Sequence, residues 1–316
     1  MAGSIETGAK STLFDQKERV EMSRLEGLVF KKDSLVRKVR RIPAPGKVLV
    51  SVGDLVEPET VLAKGTVRNP DVREIRVNEE LGVAPEEVKK YLLKGEGDEV
   101  KEGEAIAIHR SFFSRFTRVC RSPIDGTIEV ISDTSGRALI RGRPIPMVVK
   151  AHVAGRVLEI IPDQGAVIET RAAFIQGVFG VGGEAVGELV TVVESPSEIL
   201  ATETVSEEHG GKIVVGGSFI TLEALRRAVA IGVKAMIVGG IDEKDLTEFL
   251  GYEIGLGITG QEKTNLTLIL TGGFGVHPMD ERVFNLLKSL GGRQACVDGS
   301  TQIRARMLRP EIIIPL

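Results

Sequence analysis

Pro-Ala-Pro-Gly-Lys-Val-Leu-Val-Ser-Val-Gly-Asp-Leu-Val-Glu-Pro-Glu-Thr-Val-Leu-Ala, residues 43 to 63, is the stretch that decides the predicted fold of the front half of the chain. Valines alternate with other residues up to Val52, the Gly53-Asp54 pair indicates a turn, and a second apolar run follows. Alternation on both sides of a turn is typical of a β-hairpin. The stretch therefore predicts one half of a small β-barrel.

The same pattern recurs three times before residue 170. Segment two runs from Gly97 to Ala107, segment three from Ser122 to Ile131, and segment four from Ala151 to Ile168. Segment two repeats the Gly-Asp pair of segment one, as Gly97-Asp98. A turn that needs a positive φ favours glycine, and the neighbouring aspartate can hydrogen-bond the turn backbone.

The second and third segments carry a resemblance to a known fold. Gly-Asp-x-Val-x-x-Gly-x-x-Ile-Ala at 97–107, followed by Ser-Pro-x-x-Gly-x-Ile at 122–128, resembles the barrel-sandwich hybrid of biotinyl and lipoyl carrier domains and of the C subunit of Rnf electron-transfer complexes. The resemblance covers about residues 40 to 170. Carrier domains attach biotin or lipoate to a lysine at a hairpin tip, but the equivalent stretch 111–118 holds no lysine. The resemblance therefore implies a rigid binding module without biotin or lipoate.

Length and charge set wider bounds. A chain of 316 residues with 42% hydrophobic residues and a mean hydropathy of +0.08 predicts a folded protein of two or three domains. The net charge of −3 hides two opposed blocks, since 74–104 is rich in acids and 109–156 is rich in bases. Such a reversal is typical of a partner or polyanion face, and also of ordinary solvated surface.

Cysteine usage and hydropathy favour the cytoplasm. Cys120 and Cys296 lie far apart with no spacing typical of a metal site, so we predict neither a disulfide nor a metal. No apolar run approaches the roughly 20 residues that a bilayer-spanning helix needs. We therefore expect a cytoplasmic protein without a transmembrane segment.

The stretch 110–121 interleaves aromatic and basic residues. Stacking aromatics beside cations are what single-stranded nucleic acid, another polyanion or a membrane surface would require. Three phenylalanines near a domain joint also suit an ordinary packing plug with arginines at its rim. The candidate polyanion-binding residues are Arg110, Phe112, Phe113, Arg115, Phe116, Arg118 and Arg121.

The back half has a different period. Strand-like runs at 212–217, 235–240 and 266–273 alternate with helical patterns at 221–231, 242–250 and 278–290. Asp242 is a predicted N-cap, and Pro278 is expected in the first turn of the last helix. Alternating βα units predict a mainly parallel sheet in a three-layer α/β domain of Rossmann-like type.

Each of the three strand-like runs ends in Gly-Gly. At the carboxyl edge of a parallel sheet, bare backbone and helix N-termini converge, and ligands usually bind there. The doublets are predicted either to form an anion or nucleotide pocket or merely to make three tight βα turns. The candidate ligand-binding residues are Gly216, Gly217, Ser218, Thr221, Gly239, Gly240, Asp242, Gly272, Gly273 and His277.

These patterns combine into a predicted architecture of β plus α/β type. A polar tail or arm (1–28) precedes a barrel-sandwich hybrid β domain (29–175) with a helical insertion near 84–93. A glycine-rich joint and β segment (176–210) then leads to the Rossmann-like domain (211–316). Sequences of this kind resemble ones that continue into a further small β domain of the KOW type, so we expect the native chain to extend or the family to include short members.

The sequence contains no constellation that indicates catalysis. The four histidines show no paired metal spacing, and the Walker A, Gly-x-Ser-x-Gly and Rossmann fingerprints do not occur. We therefore expect a non-catalytic binding or adaptor subunit of a larger cytoplasmic assembly, with a protein partner. The alternatives are a nucleotide- or phosphometabolite-binding enzyme or sensor, and a nucleic-acid-binding protein that uses the stretch 110–121.

Overall fold

A computed structural model describes residues 29–110, 117–252, 264–301 and 308–316. These ranges contain far more strand than helix. The strands of the front half are β1 (Val29–Arg41), β2 (Gly46–Val48), β3 (Leu55–Val56), β4 (Val61–Val67), β5 (Val72–Ile75), β6 (Glu99–Val100), β7 (Ala105–Arg110), β8 (Thr117–Arg121), β9 (Gly126–Ile131), β10 (Ala138–Gly142), β11 (Ile145–Lys150), β12 (Gly155–Ile161) and β13 (Gly165–Gln176).

The strands of the back half are β14 (Phe179–Val181), β15 (Glu184–Thr191), β16 (Ile199–Leu200), β17 (Ile213–Val215), β18 (Phe219–Ile220), β19 (Ala235–Ile241), β20 (Thr267–Phe274), β21 (Gln294–Asp298) and β22 (Glu311–Pro315). The α-helices are α1 (Val77–Leu81), α2 (Leu222–Ala230), α3 (Glu243–Leu250) and α4 (Glu281–Ser289). Short 3-10 helices in the described part of the chain lie at Pro85–Tyr91, Thr202–Thr204 and Glu207–His209. No helix among the described residues has the length and apolar character that crossing a bilayer demands.

One mixed sheet of 13 strands joins the two halves of the chain. Its main path runs β14-β20-β19-β17-β15-β21-β22-β13-β12-β3, and β1 pairs with β13. Strands β15, β17, β19 and β20 are parallel to one another, and β14 pairs antiparallel with β20. From β15 onward, β21, β22, β13, β12, β3 and β1 pair antiparallel. The sheet is therefore continuous from the parallel strands to the front hairpins.

This continuity corrects the predicted fold class. The individual βα elements of the back half occur close to their predicted positions, but they do not form a separate three-layer Rossmann-like domain. After α4 the chain adds β21 antiparallel to β15, and β22 then pairs with β13 of the front half. The physical reason is that β21 and β22 have apolar residues on both faces, so the helices must cover one face and the front half must cover the other.

The predicted single front barrel is also wrong. Segments two and three lie in a small unit, residues 72–142, with a four-stranded sheet β5-β10-β9-β6, the hairpin β7-β8 and helix α1. This satellite unit has its own core, which includes Leu81, Ile106 and Ile140. It is joined to the rest by β4 and β11, which pair antiparallel. Segment four stays with the large sheet, whereas segment one is divided: β3 joins the large sheet, and β2 and β4 form a three-stranded sheet with β11.

The repeated turn itself has the predicted chemistry. Gly53 and Gly97 have φ of 94° and 88°. The Asp54 carboxylate accepts the Ser51 N–H at 2.8 Å, and the Asp98 carboxylate accepts the Gly95 N–H at 2.8 Å. The predicted aspartate bond to the turn backbone is confirmed, because glycine supplies the left-handed φ and the carboxylate binds the freed amide.

Helix ends agree in part with prediction. Asp242 is the N-cap of α3, as expected, and its carboxylate accepts the Lys244 N–H at 2.8 Å. Helix α4 starts at Glu281 with Asp280 as N-cap, so Pro278 lies before the helix. The insertion predicted as a helix near 84–93 is a 3-10 helix, and the sequence reading missed α1 before it.

The strands at the centre of the large sheet are buried on both faces. Ile312 and Ile314 of β22 lie in the core that contains the helices α2 to α4, which we call the helix core. Ile313 lies between them in sequence but packs into a second core beneath β12 and β13, the front core. Cys296 of β21 also faces the front core, with Ala295 in the helix core. Side chains of a strand alternate between faces, so one strand stabilises two cores.

This arrangement predicts that the two halves unfold together. Ile312→Ala and Ile313→Ala remove side chains from different cores, and each should lower the free energy of unfolding by about 2 to 5 kcal/mol. Urea unfolding followed by circular dichroism should show both losses in one shared transition. Val130→Ala, on the exposed side of β9 in the satellite unit, is the control and should cost less than about 1 kcal/mol. Two separate transitions, each moved by one variant, would contradict the shared sheet.

Candidate functional site

The parallel strands bring the three glycine doublets to one edge. Val215 is paired with Ile237, and Ile237 with Ile269, so β17, β19 and β20 end side by side. Gly240 and Gly273 are direct register partners. The predicted ligand-binding residues therefore do gather at the carboxyl edge of these strands, which we call the glycine edge.

The protein itself fills the space at the glycine edge. A Cβ at Gly239 would fall on the carbonyl oxygen of His277, and a Cβ at Gly217 would fall on the carbonyl oxygen of Glu198. Gly272 has no room for a Cβ either, because the His277 side chain lies there. The glycines thus allow two loops, 195–198 and 275–279, to pack on the strand ends.

Polar groups at the glycine edge already have partners within the chain. The buried Ser218 hydroxyl donates to the Ser197 carbonyl at 2.8 Å, and the Ser218 N–H donates to the Glu198 carbonyl at 2.8 Å. The His277 Nε2 lies 2.7 Å from the Phe274 carbonyl oxygen, so this nitrogen carries the proton and donates it. These groups hold the loops over the edge.

The electrostatics of the glycine edge do not favour an anion. Two of the helices that start there, α3 and α4, have a carboxylate as N-cap, from Asp242 and Asp280. Burial raises the pKa of the nearby Asp245 above its ordinary value, and the neighbouring acids Asp242 and Glu223 add to the rise. Carboxylates at helix N-termini occupy the position where a phosphate would bind. The anion or nucleotide pocket stays a prediction, with little support from this geometry.

The polyanion stretch is described only in part. Phe112, Phe113, Arg115 and Phe116 lie outside the described residues. The flanking Arg110, Arg118 and Arg121 lie on the hairpin β7-β8, and the Arg121 guanidinium donates to the Gly103 carbonyl at 2.7 Å. This bond gives Arg121 a structural role at a turn. The polyanion hypothesis therefore stays a prediction.

A row of ionic groups lies where the front strands meet the back strands. Glu184, Asp298 and Glu311 are direct register partners on β15, β21 and β22, so three carboxylates stand side by side. Lys38 of β1 binds Glu311 at 2.5 Å, and Arg40 holds both oxygens of Glu184. Like charges opposite each other destabilise a sheet, so the two cations are needed to neutralise this ionic seam.

His152 adds a titratable group to the ionic seam. It is only 5% exposed and has a φ of 65°, which is unusual for a residue other than glycine. Its Nδ1 lies 3.8 Å from a carboxylate oxygen of Glu184. Burial lowers the pKa of His152 below its ordinary value; Glu184 opposes this shift, while Arg40 and Lys38 reinforce it. His152 is therefore neutral at pH 7, and the seam keeps one excess negative charge.

The two thiols are poor candidates for chemistry. Cys120 and Cys296 are free and buried. Burial raises the pKa of Cys296 to about 12, and burial with help from Glu80 raises the pKa of Cys120 further still. A thiol acts as a nucleophile only as the thiolate, so both side chains serve as core residues. Groups of three or more metal-ligating side chains do not occur in the described ranges.

A candidate binding surface appears where no sequence pattern indicated one. The register places Arg37, Glu169, Arg156 and Leu55 in one row across β1, β13, β12 and β3. The next row contains Val39, Val167 and Glu159. Side chains in one row point to the same side of a sheet, and the opposite side of these strands is the front core. We call the solvent side of these four strands the outer face.

Aliphatic side chains on the outer face are strongly exposed. Leu35 is 64% exposed, Val39 is 59% exposed and Leu55 is 76% exposed. Leu158, the extra residue of a bulge in β12, is 39% exposed. Sequence reasoning missed this surface because its residues come from segments one and four and from β1, and only the strand register unites them.

The close packing at the glycine edge predicts that one added methyl group lowers the stability of the protein. Gly239→Ala should lower the free energy of unfolding by about 3 kcal/mol, because the new Cβ would overlap the His277 carbonyl in a closed space. Gly183→Ala is the matched control, since nothing lies within 4 Å of a Cβ there and its φ is ordinary. Urea unfolding should show the loss for Gly239→Ala alone. Equal stability of the two variants would mean that the loop 275–279 does not close the edge.

The ionic seam predicts a pH dependence with a definite sign. The folded pKa of His152 lies below its ordinary value of 6.5, so the unfolded chain binds a proton first as the pH falls. Stability from this group is complete above pH 6.5 and should fall below it, by at most about 1.4 kcal/mol per pH unit. Asn tolerates the left-handed backbone, so His152→Asn should remove this slope. Identical pH profiles of unfolding for the two proteins would contradict the assignment.

Comparison with known proteins gives this chain no relatives. No protein-family model, no curated protein and no solved structure matches it.

Proposed function

We propose that the protein is a binding or adaptor subunit of a cytoplasmic assembly and that it docks a protein partner on the outer face. The observation that supports this most strongly is that Leu35, Val39 and Leu55 are exposed on the same face as several arginines. Leu35 is the register partner of Arg171, and Leu55 is the register partner of Arg156. Single exposed aliphatics are common on any surface. Several on one face, from β1, β12 and β3, indicate an interaction site.

The arginines of the outer face support the same proposal. Arg37, Arg41, Arg156 and Arg171 are the cations that the register places on this side of β1, β12 and β13. Protein interfaces are enriched in arginine and depleted in lysine, because the planar guanidinium sheds water more easily and can bind carboxylates with two hydrogen bonds. The composition of the outer face fits that preference.

Stability does not explain these arginines. Arg37 binds Glu169 at 2.8 Å, and Arg171 binds Asp33 with two Nε bonds of 2.8 and 3.1 Å. Exposed ion pairs of this kind contribute about 0 to 1 kcal/mol each. They do hold the arginine side chains in fixed positions, which reduces the entropy that a partner would have to remove on binding.

The two other functions have weaker support. A nucleotide site at the glycine edge would have to displace carboxylates at two helix N-termini and the loop that carries His277. Nucleic-acid binding would depend on Phe112, Phe113 and Phe116, which lie outside the described residues. We therefore propose neither a nucleotide nor a nucleic acid as a ligand of this chain.

Site-specific photo-crosslinking tests the proposal. A benzoylphenylalanine at position 55 should crosslink one discrete protein in an extract of the source organism, because Leu55 projects from the outer face. The same group at position 199 is the control, since Ile199 is also exposed but lies on β16, far along the sheet. Equal crosslinking patterns at the two positions would contradict a docking role for the outer face.

Size measurements give an independent check of the same proposal. Leu55→Asp combined with Leu158→Asp should release the chain from its assembly, because charged groups would be buried in the interface. Native size-exclusion chromatography of the extract should then move the chain to smaller apparent size. Ile199→Asp should leave the elution unchanged. If the wild-type chain already elutes alone, the adaptor function is wrong.

A further inference from the structure

Strand β1 forms a long open edge of the large sheet. It spans 13 residues and pairs with β13 over nearly its whole length. Within the described ranges, β13 is the only strand that pairs with it. An edge strand presents unpaired N–H and C=O groups and so can template the addition of another strand.

The register identifies which backbone groups point outward. The Ile42 N–H donates to the Gln164 carbonyl at 3.0 Å, which extends the ladder between β1 and β13 by one hydrogen-bonded pair. Hydrogen-bonded and non-hydrogen-bonded pairs alternate along antiparallel strands. Even-numbered residues of this part of β1, such as Lys38, therefore bond to β13. The backbone N–H and C=O of Leu35, Arg37, Val39 and Arg41 point away from β13.

The charge of β1 decides what can pair there. Its 13 residues include six cations and one acid. Lys38 and Arg40 are occupied in the ionic seam, and Arg37 is paired with Glu169. The side chains of Lys31, Lys32 and Arg41 form no hydrogen bond or ion pair with the described residues. A second copy of β1 would place cations opposite cations, which destabilises a strand pair, whereas an acidic strand would neutralise them.

We propose that β1 binds an acidic, extended segment of the partner protein by strand addition. The side chains that such a strand would meet, Leu35 and Val39, belong to the outer face, so the edge and the outer face form one continuous surface. Backbone hydrogen bonds supply affinity in this mode, and alternate side chains supply specificity. The inference rests on the proposed adaptor function and names the chemistry of its partner.

A peptide-binding experiment tests strand addition directly. The probe is a fluorescein-labelled peptide of sequence Glu-Val-Glu-Thr-Glu-Val-Glu-Thr-Glu, and its control has lysine in place of each glutamate. Fluorescence anisotropy with the full-length protein should show binding of the acidic peptide that weakens as salt is raised, and at least tenfold weaker binding of the lysine peptide. Absence of binding by the acidic peptide, or equal binding of the two, overturns the proposal.

Two variants distinguish binding through the outward backbone groups of β1 from binding through its side chains. Val39→Pro removes one outward N–H without breaking the ladder to β13, because proline is tolerated on an edge strand where its nitrogen faces solvent. Val39→Thr keeps the N–H and the β-branched shape. We expect at least tenfold weaker binding for Val39→Pro and less than twofold change for Val39→Thr. Equal effects of the two variants would contradict pairing at the edge.

Reversal of the charge on two residues of β1 tests the proposal without a proline substitution. Lys32→Glu combined with Arg41→Glu should weaken the acidic peptide at least tenfold and strengthen the lysine peptide. An unchanged preference for the acidic peptide over the lysine peptide would overturn the charge argument.

The proposed function and strand addition can fail separately. Crosslinking at position 55 that survives Val39→Pro would retain the adaptor function and reject strand addition. Peptide binding to β1 without any crosslink at Leu55 would retain strand addition and reject docking on the outer face.

Discussion

Burial of the central strands on both faces is the constraint on which the rest of this structure depends. In β22, Ile312 and Ile314 pack into the helix core, and Ile313 packs into the front core. A strand of this kind cannot leave either face to water, because each isoleucine contributes about 1.5 to 3 kcal/mol by burial. Elements from both halves of the chain must therefore cover it. The helices do so on one side, and β12, β13 and the front hairpins do so on the other.

Strand β1 has three roles, because its side chains and its backbone groups alternate in direction along the strand. Its even-numbered side chains, Lys38 and Arg40, neutralise the carboxylates of the ionic seam. Its odd-numbered side chains, including Leu35 and Val39, belong to the outer face, and the odd-numbered backbone groups face the open edge. Lys38 and Arg40 therefore hold the two halves together, whereas the side chains of Lys31, Lys32 and Arg41 are available to a partner.

The glycine edge shows that absence of a side chain has two opposite uses. A glycine can leave room for a ligand, or it can leave room for another part of the same chain. Here the carbonyl of His277 lies where a Cβ of Gly239 would be, and Glu198 does the same at Gly217. Close backbone packing of this kind stabilises the loops that cover the strand ends. The function is for that reason better sought at the front of the molecule.

Local patterns were sufficient for the turns and most elements of this protein. The Gly-Asp turns at Gly53 and Gly97, the strands of the back half and the Asp242 cap depend on neighbours a few residues away, so the sequence predicts them. The fold class, the satellite unit and the outer face depend on which strands pair across 100 residues or more, as β1 does with β13. Alternating apolar residues indicate a strand, but they do not indicate which other strand it pairs with. The tertiary structure alone decided which residues share a row on the outer face, because register is set by burial of the opposite face. One such row contains Arg37, Glu169, Arg156 and Leu55.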